Sequence, residues 1–177
     1  MRLPFLLFLF FTTFACRSLL ADPLSESQQA IEAGRYAQAA RLLNPLAASG
    51  NAFAQYRLGM LYYLGQGVPE DEKQAVLLWK KAAAQGSTDA MYQLGSAFLF
   101  GSQAAKTVPD PDREAATWYF QAASAGHAEA QYHLGLLFLA GKGVIESRTE
   151  AARWMRKAAA QGHQEAKKAL NLIEPGK

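Results

Sequence analysis

The side chains that most often carry chemistry are few in this chain, which has three histidines and one cysteine among 177 residues. His127 and His163 each follow a glycine at equivalent points of a repeated pattern, which favours structural roles over metal binding. His133 stands at a position that varies between copies of the pattern, so we expect it to face solvent. The acidic residues are spread over turns and helix starts, without a convergent pair for acid–base catalysis. We therefore predict no enzyme active site, no metal and no cofactor.

The single cysteine lies in a segment that has the pattern of an export signal. Arg2 gives a short positive start, residues 3–15 are almost wholly apolar, and small residues follow. This apolar run is too short to span a bilayer. A cut after Ala21 predicts a periplasmic or secreted protein. The alternative cut, after Ala15, would leave Cys16 as the acylated first residue of a membrane-anchored lipoprotein.

The charge balance argues against a nucleic-acid partner. The chain carries 18 Lys and Arg against 15 Asp and Glu, a formal charge of +3. Arg2 and Arg17 fall within the first 21 residues, where there is no acidic residue, so the remainder has 16 minus 15, or +1. The other basic residues are scattered and form no stripe, and such a surface gives no electrostatic footprint for nucleic acid.

An internal repeat organises the rest of the chain. Gly50, Gly86, Gly126 and Gly162 are spaced by 36, 40 and 36 residues. The residues that return in the first half of each unit are Ala54, Tyr56, Leu58 and Gly59, then Ala90, Tyr92, Leu94 and Gly95, then Ala130, Tyr132, Leu134 and Gly135. Apolar residues recur three and four apart on both sides of a middle glycine, which predicts two helices joined by a turn in each unit.

The glycine after each leucine is unfavourable inside a helix, because glycine destabilises a helix by about 1 kcal/mol relative to alanine. We interpret Gly59, Gly95 and Gly135 as sites where the second helix of the unit packs unusually close. The expected partners in that close approach are Ala75, Ala115 and Ala151.

These residues resemble the Sel-one-like repeat family, which is related to tetratricopeptide repeats. Residues 54–59 are similar to its Ala-x-x-Tyr-x-Leu-Gly pattern with one altered spacing, and residues 65–69 carry its Gly-x-Gly-Val-Pro turn whole. Its closing Trp-Tyr-x-x-Ala-Ala-x-x-Gly pattern is present from Trp118 to Gly126. The resemblance covers residues 50–173 and implies an all-α fold, a right-handed α-solenoid of helix–turn–helix repeats, in an exported bacterial protein. Cysteine-rich relatives linked to β-lactams have paired cysteines in each repeat, which this chain lacks.

The pattern predicts six segments. They are a signal peptide (1–21), a tetratricopeptide-like helix pair (22–49), repeat one (50–85), repeat two with a longer turn (86–125), repeat three (126–161), and a capping helix with a tail (162–177). The total is about nine helices. We expect the first pair to start with a capping box of Ser25 and Gln28, to turn at Gly34, and to bend at Pro45.

Tetratricopeptide geometry, transferred to these units, places one face of each first helix on the concave side of the solenoid. The predicted partner-binding residues are Tyr56, Met60, Tyr63, Tyr92, Ser96, Leu99, Tyr132, Leu136 and Leu139. Tyrosine suits binding because it offers area and a hydroxyl at little entropic cost. The alternative is that these tyrosines pack against the neighbouring repeat. Residues 102–112, the longer turn, are a second candidate surface, and tolerated length variation is the alternative there.

The resulting hypothesis is a monomeric protein–protein interaction adaptor of the bacterial cell envelope that binds a protein or peptide on its concave face. The first alternative is a structural scaffold of an envelope or polysaccharide-secretion assembly. A third possibility is a β-lactam-binding or hydrolysing relative.

Overall fold

The computed structural model describes residues 22–101 and 103–174, so the predicted export signal with Cys16 lies outside the described residues. Every regular element in the described part is helical. The helices are α1 (Pro23–Glu32), α2 (Tyr36–Ala48), α3 (Ala52–Leu64), α4 (Glu72–Ala83), α5 (Thr88–Phe100), α6 (Pro111–Ser124), α7 (Ala128–Ala140), α8 (Arg148–Ala160) and α9 (Gln164–Ile173), with a 3₁₀ turn at Ala104–Thr107. The all-α prediction is confirmed.

The helices form pairs, and the close backbone contacts within the described residues join helices that are neighbours along the chain. We call α3–α4 repeat one, α5–α6 repeat two and α7–α8 repeat three. Pair α1–α2 precedes them and α9 follows. Alanines, leucines and a few large side chains fill the core between successive helices.

One position caps the first helix of every repeat and also α9. Asn51, Ser87, His127 and His163 each accept a hydrogen bond from the backbone N–H three residues further on, at 2.9, 3.3, 3.2 and 3.2 Å respectively. Such a cap satisfies a backbone donor that the helix itself leaves unpaired. The structural role predicted for His127 and His163 is therefore confirmed, and the role is helix capping.

The close approach predicted at the helix glycines is confirmed, but its main partner differs from the expected alanines. A methyl group on Gly59 would lie 2.5 Å from Nε1 of Trp79, and one on Gly95 would lie 2.7 Å from the ring of Tyr119. On Gly135 it would lie 2.8 Å from Cγ of Met155, with the carbonyl oxygen of Ala151 at 3.2 Å. Each glycine thus makes room for a large buried side chain one turn after the alanine.

The first helix pair differs from its prediction at its start. Asp22 caps α1 by accepting from the N–H of Leu24 at 3.3 Å, so Ser25 lies inside the helix and forms no capping box. Pro23 at the first helical position suits this earlier start, because its missing N–H would be unpaired there anyway. The turn at Gly34 is confirmed by its positive φ of 70°. Helix α2 continues through Pro45 to Ala48.

The turn inside each repeat rests on the start of the second helix of the preceding pair. Gly67 lies so close to the backbone of Tyr36 and Ala37 in α2 that a Cβ would clash, and Gly143 lies equally close to the backbone of Asp112 in α6. Both glycines also have positive φ, of 70° and 66°. Repeat two has no such glycine, and its longer turn is held on α4 by the carboxylate of Glu72.

Candidate functional site

The nine residues predicted to bind a partner lie on one side of α3, α5 and α7, and all of them are partly buried. We call this surface the first-helix face. Met60, Tyr63 and Leu99 pack on the core between repeats one and two, and Tyr132, Leu136 and Leu139 pack on the core around Met155. These side chains thus support the packing and still reach the surface. The alternative stated for the tyrosines, packing against a neighbouring repeat, holds for Tyr92 in particular, as its ring contacts show.

Two exposed apolar side chains on this face escaped the sequence analysis. Leu64 is 51% exposed and Phe100 is 69% exposed, and both end a first helix. They lie eight residues after Tyr56 and Tyr92, a spacing that places them on the same side of a helix. Extending the predicted set of residues by one position at the end of each helix would have included them. They give the face its most exposed apolar groups.

The centre of the face is a cluster of aromatic and imidazole rings. Tyr92 stacks on His127 at a centroid distance of 4.8 Å and meets the ring of Tyr119 at 5.8 Å. His133 stacks on Tyr119 at 5.3 Å and meets Tyr132 edge-on at 5.5 Å. The cluster joins repeats two and three, so the rings hold neighbouring units together as well as forming surface.

The prediction that His133 faces solvent is wrong. Its ring is partly buried between Tyr119, Tyr92 and Tyr132. Burial lowers the pKa of His133, and nearby Glu129 opposes that shift. Arg57 and Gln93 at the equivalent positions are partly buried as well, so variability between copies does not indicate exposure here.

Hydrogen bonds across this face link two of its tyrosines, Tyr56 and Tyr92, to the following repeat. The Tyr56 hydroxyl bonds the side chain of Gln93, and the Tyr92 hydroxyl lies 3.4 Å from Nε2 of His133. Burial raises the pKa of both tyrosines, so their hydroxyls stay neutral hydrogen-bonding groups at physiological pH. The Ser96 hydroxyl lies 2.9 Å from that of the buried Tyr119, so this member of the face is also bonded to the core beneath it.

The longer turn of repeat two is held against α4 by hydrogen bonds. The carboxylate of Glu72 accepts from the N–H of Gln103 at 3.1 Å and from that of Ala104 at 2.6 Å, and Ala104 is buried. A pocket of about 240 Å³ opens between this turn and α4. It is lined by Lys73, Val76, Leu77, Lys80, Ala104 and Thr107.

Two kinds of feature are absent from the described residues. No group of three or more histidine, cysteine, aspartate or glutamate side chains could hold a metal ion there. No helix in the same residues combines the length and the apolar character needed to cross a bilayer.

Comparison with family models matches three copies of the Sel1 repeat, at residues 52–87, 88–127 and 128–163. The chain belongs to the Sel1 repeat family. Sel1 repeats generally serve as protein–protein interaction modules and typically act as scaffolds without catalysis. The resemblance that the glycine, tyrosine and alanine pattern indicated is therefore confirmed. A comparison with curated protein sequences gives no match.

Solved structures of bacterial relatives have the same fold. The Sel1 repeat protein from Oxalobacter formigenes is 32% identical with a TM-score of 0.77, over 85% of this chain and 60% of that one. The Escherichia coli protein c5321, described as a protective antigen present in uropathogenic strains, is 31% identical with a TM-score of 0.75, over 86% of this chain and 34% of that one. This chain thus spans less than two thirds of either relative.

A more distant structure shares the fold alone. Helicobacter pylori cysteine rich protein B is 21% identical with a TM-score of 0.55, over 85% of this Sel1 chain and 98% of that one. Together these structures identify the present chain as an α-solenoid of helix pairs. The right-handed sense of the superhelix stays a prediction.

Proposed function

We propose that this Sel1 repeat protein is a monomeric adaptor of the bacterial cell envelope that binds an extended segment of a protein partner along its first-helix face. The observation that carries the proposal is the stripe of partly buried residues on α3, α5 and α7 that ends in exposed Leu64 and Phe100. Interfaces are centred on apolar and aromatic anchors of this kind.

The size and chemistry of the face fit a peptide. Three helices about 10 Å apart give a groove of roughly 30 Å, which accommodates about nine residues of extended chain. The hydroxyls of Tyr56 and Tyr92 and the amide of Gln93 add hydrogen-bonding groups that can meet the backbone of such a segment. Because the face has apolar anchors and neutral polar groups, we propose a partner segment with apolar side chains at alternate or every third position.

The envelope location rests on the export pattern of residues 1–21 and is consistent with the bacterial relatives. Acylation at Cys16 would place the same adaptor on a membrane surface. A scaffolding role in an envelope assembly is then the alternative hypothesis.

A site-specific crosslinking experiment tests the proposal. A photo-crosslinking phenylalanine analogue replaces Phe100 in one variant and Ile145 in another, and both are expressed in the native host. Ile145 is 90% exposed but lies in the turn before α8, so it is the matched control. We expect a discrete crosslinked partner from position 100 alone.

The affinity of that partner is then measured with Leu64→Glu. We expect binding to fall by about tenfold or more, as for an apolar anchor, with unchanged circular dichroism. If both crosslinker positions capture the same proteins, or Leu64→Glu binds as tightly as the unchanged protein, the first-helix face is not the binding site. The longer turn would then be tested in the same way.

A further inference from the structure

The longer turn of repeat two forms one wall of a pocket that the proposed function does not use. Helix α4 forms the other wall. The pocket has a volume of about 240 Å³ and is lined by Lys73, Val76, Leu77, Lys80, Ala104 and Thr107. None of these residues belongs to the first-helix face. The extra length of this turn thus contributes to a surface of its own.

Hydrogen bonds fix the wall that the turn contributes. The carboxylate of Glu72 accepts from the N–H groups of Gln103 and Ala104 at 3.1 and 2.6 Å. The hydroxyl of Thr107 donates to the carbonyl oxygen of Ala104 at 2.7 Å, and Ala104 is buried. Because the wall is already held in place, a ligand does not have to order it on binding.

The pocket combines an apolar surface with positive charge on both sides of it. Lys73 and Lys80 are seven residues apart, a spacing that puts them on the same side of α4 and about 10 Å apart along the helix. Leu77 lies between them and is 49% exposed. Neither ammonium group forms an ion pair within the residues that the structure describes. That of Lys80 lies 5.5 Å from the ring centroid of Phe98.

The equivalent pocket of the next repeat has a different chemistry. It has a volume of about 220 Å³ and lies between α6 and the turn of repeat three, with Ala116, Thr117 and Phe120 in its lining. Phe120 occupies the position of Lys80, forty residues further along the chain. Among the described residues, those that line this second pocket are all uncharged. The positive charge is therefore specific to the pocket at the longer turn and is not a consequence of the fold.

The volume and the lysine spacing indicate what the pocket at the longer turn can hold. Cavities that enclose whole small molecules have about 300–1,000 Å³. A volume of about 240 Å³ therefore suits one large apolar side chain of a larger partner. Two acidic residues of that partner can reach both lysines when they are three positions apart in an extended segment, because three extended residues span about 10 Å.

We propose that this pocket is a second binding site, which takes an extended peptide segment with an apolar side chain between two acidic residues three positions apart. The apolar side chain contacts Val76 and Leu77, and the acidic side chains pair with Lys73 and Lys80. Exposed ion pairs are screened, so the apolar contact supplies most of the affinity and the charges select the sequence. The inference does not depend on the proposed function, because the two surfaces share no residue.

Selection from a displayed library of random peptides tests the proposal. The library is selected in parallel on the purified protein, on Lys80→Glu and on Lys81→Glu. Lys81 is the control, because it is the next residue of α4, is also exposed and does not line the pocket. We expect peptides with the acidic and apolar pattern to be enriched on the unchanged protein and on Lys81→Glu, but not on Lys80→Glu.

A synthetic peptide of the enriched sequence is then titrated into the protein while the backbone amide resonances are followed by NMR. We expect the largest shifts at residues 73–80 and 103–107, and binding about tenfold weaker to Lys80→Glu. Affinity should also fall as the salt concentration rises from about 50 mM to about 500 mM. Lys73→Gln, which removes a single charge, gives the same comparison with a smaller loss should Lys80→Glu fail to fold.

Any of three results would overturn the proposal. They are the absence of an acidic pattern among the enriched peptides, equal binding of such a peptide by Lys80→Glu and Lys81→Glu, and largest shifts outside the pocket. Dodecanoate is titrated in the same way as a comparison. If it shifts the pocket resonances and no acidic peptide does, the site takes a lipid-like anion and the peptide proposal is wrong.

Discussion

Single residues decide how closely the two helices of each repeat can approach. The sequence indicated a close approach at Gly59, Gly95 and Gly135, but it indicated the wrong partner. Ala75 and Trp79 lie four residues apart on the same side of α4, so spacing alone could not tell which of them meets Gly59. The outcome depends on the relative rotation of two helices, which no pattern within one helix contains.

Replacing Gly59 by alanine should destabilise the protein although alanine favours helices. The added methyl would lie 2.5 Å from Nε1 of Trp79, a fully buried ring that donates to the carbonyl oxygen of Tyr56 at 3.2 Å. We expect the free energy of unfolding in urea to fall by about 1–3 kcal/mol from overpacking. In the double variant Gly59→Ala, Trp79→Leu the two losses should be less than additive. A more stable Gly59→Ala protein would mean that Trp79 can move aside.

His133 should make stability depend on pH. Its pKa is lowered by burial in the folded protein, so the unfolded chain binds a proton more readily. The contribution of its neutral ring is therefore complete above the ordinary pKa of about 6.5 and is lost as pH falls through the lower folded pKa. We expect His133→Gln, which copies Gln93, to lose less unfolding free energy than the unchanged protein between about pH 7.5 and about pH 5.

Urea denaturation at a series of pH values measures this slope. Gln93→Asn, a change at the equivalent position of repeat two, is the control and should leave the slope as it is in the unchanged protein. If unfolding free energy depends on pH equally in His133→Gln and in the unchanged protein, this ring does not contribute to the pH dependence of stability.

At the scale of elements, helix pairs were predictable because apolar spacing and glycine positions recur with the repeat. The residues at which the helices begin were harder to predict. Asp22 and Ser25 are both good capping residues within one turn of each other, and the pattern that follows fits either start.

The solvent-facing prediction for His133 failed because variability between copies was taken as a sign of exposure, whereas Arg57, Gln93 and His133 are all partly buried.

The longer turn of repeat two should depend on Glu72. Its carboxylate bonds two successive backbone N–H groups, of Gln103 and Ala104, across more than thirty residues of sequence. Glu72→Gln weakens this cap, and we expect faster hydrogen exchange at residues 103–107 and a loss of about 1 kcal/mol in unfolding free energy. Glu70→Gln, an exposed change just before α4, is the control. Unchanged exchange in Glu72→Gln would mean that apolar packing of Ala104 alone holds the turn.

At the scale of the whole molecule, the helices depend on their neighbours along the chain, as expected for a solenoid. The first-helix face belongs to this scale, because it is made of residues from three repeats. Its nine residues could be named from the sequence because they recur at equivalent helix positions. The ring cluster around His133 could not, since it needs the offset between successive repeats, which only the packed array defines.

A chain ending at Gly162 should lose order from the cut end inward. It would lack α9, which covers buried Met155 and Ala158. We expect exchange protection to be lost in α8 and α7 and kept in α2 and α3, because interface energies in repeat arrays act between nearest neighbours. The control is Glu174→Gln, which keeps α9 and removes the charge that forms the 2.7 Å ion pair to Arg156. Simultaneous loss of protection in all helices of the shortened chain would show full cooperativity instead.

The tyrosine hydrogen bonds bear on how such an array can grow. Each repeat holds its own glycine and the large side chain that fills it. In contrast, the hydroxyls of Tyr56 and Tyr92 bond Gln93 and His133, the residues that follow the tyrosine of the next repeat. If residues 52–87 were duplicated in tandem, the second copy would present Arg57 to the Tyr56 hydroxyl of the first. A guanidinium can donate to that hydroxyl, so this one hydrogen bond can form at the new junction without a compensating mutation.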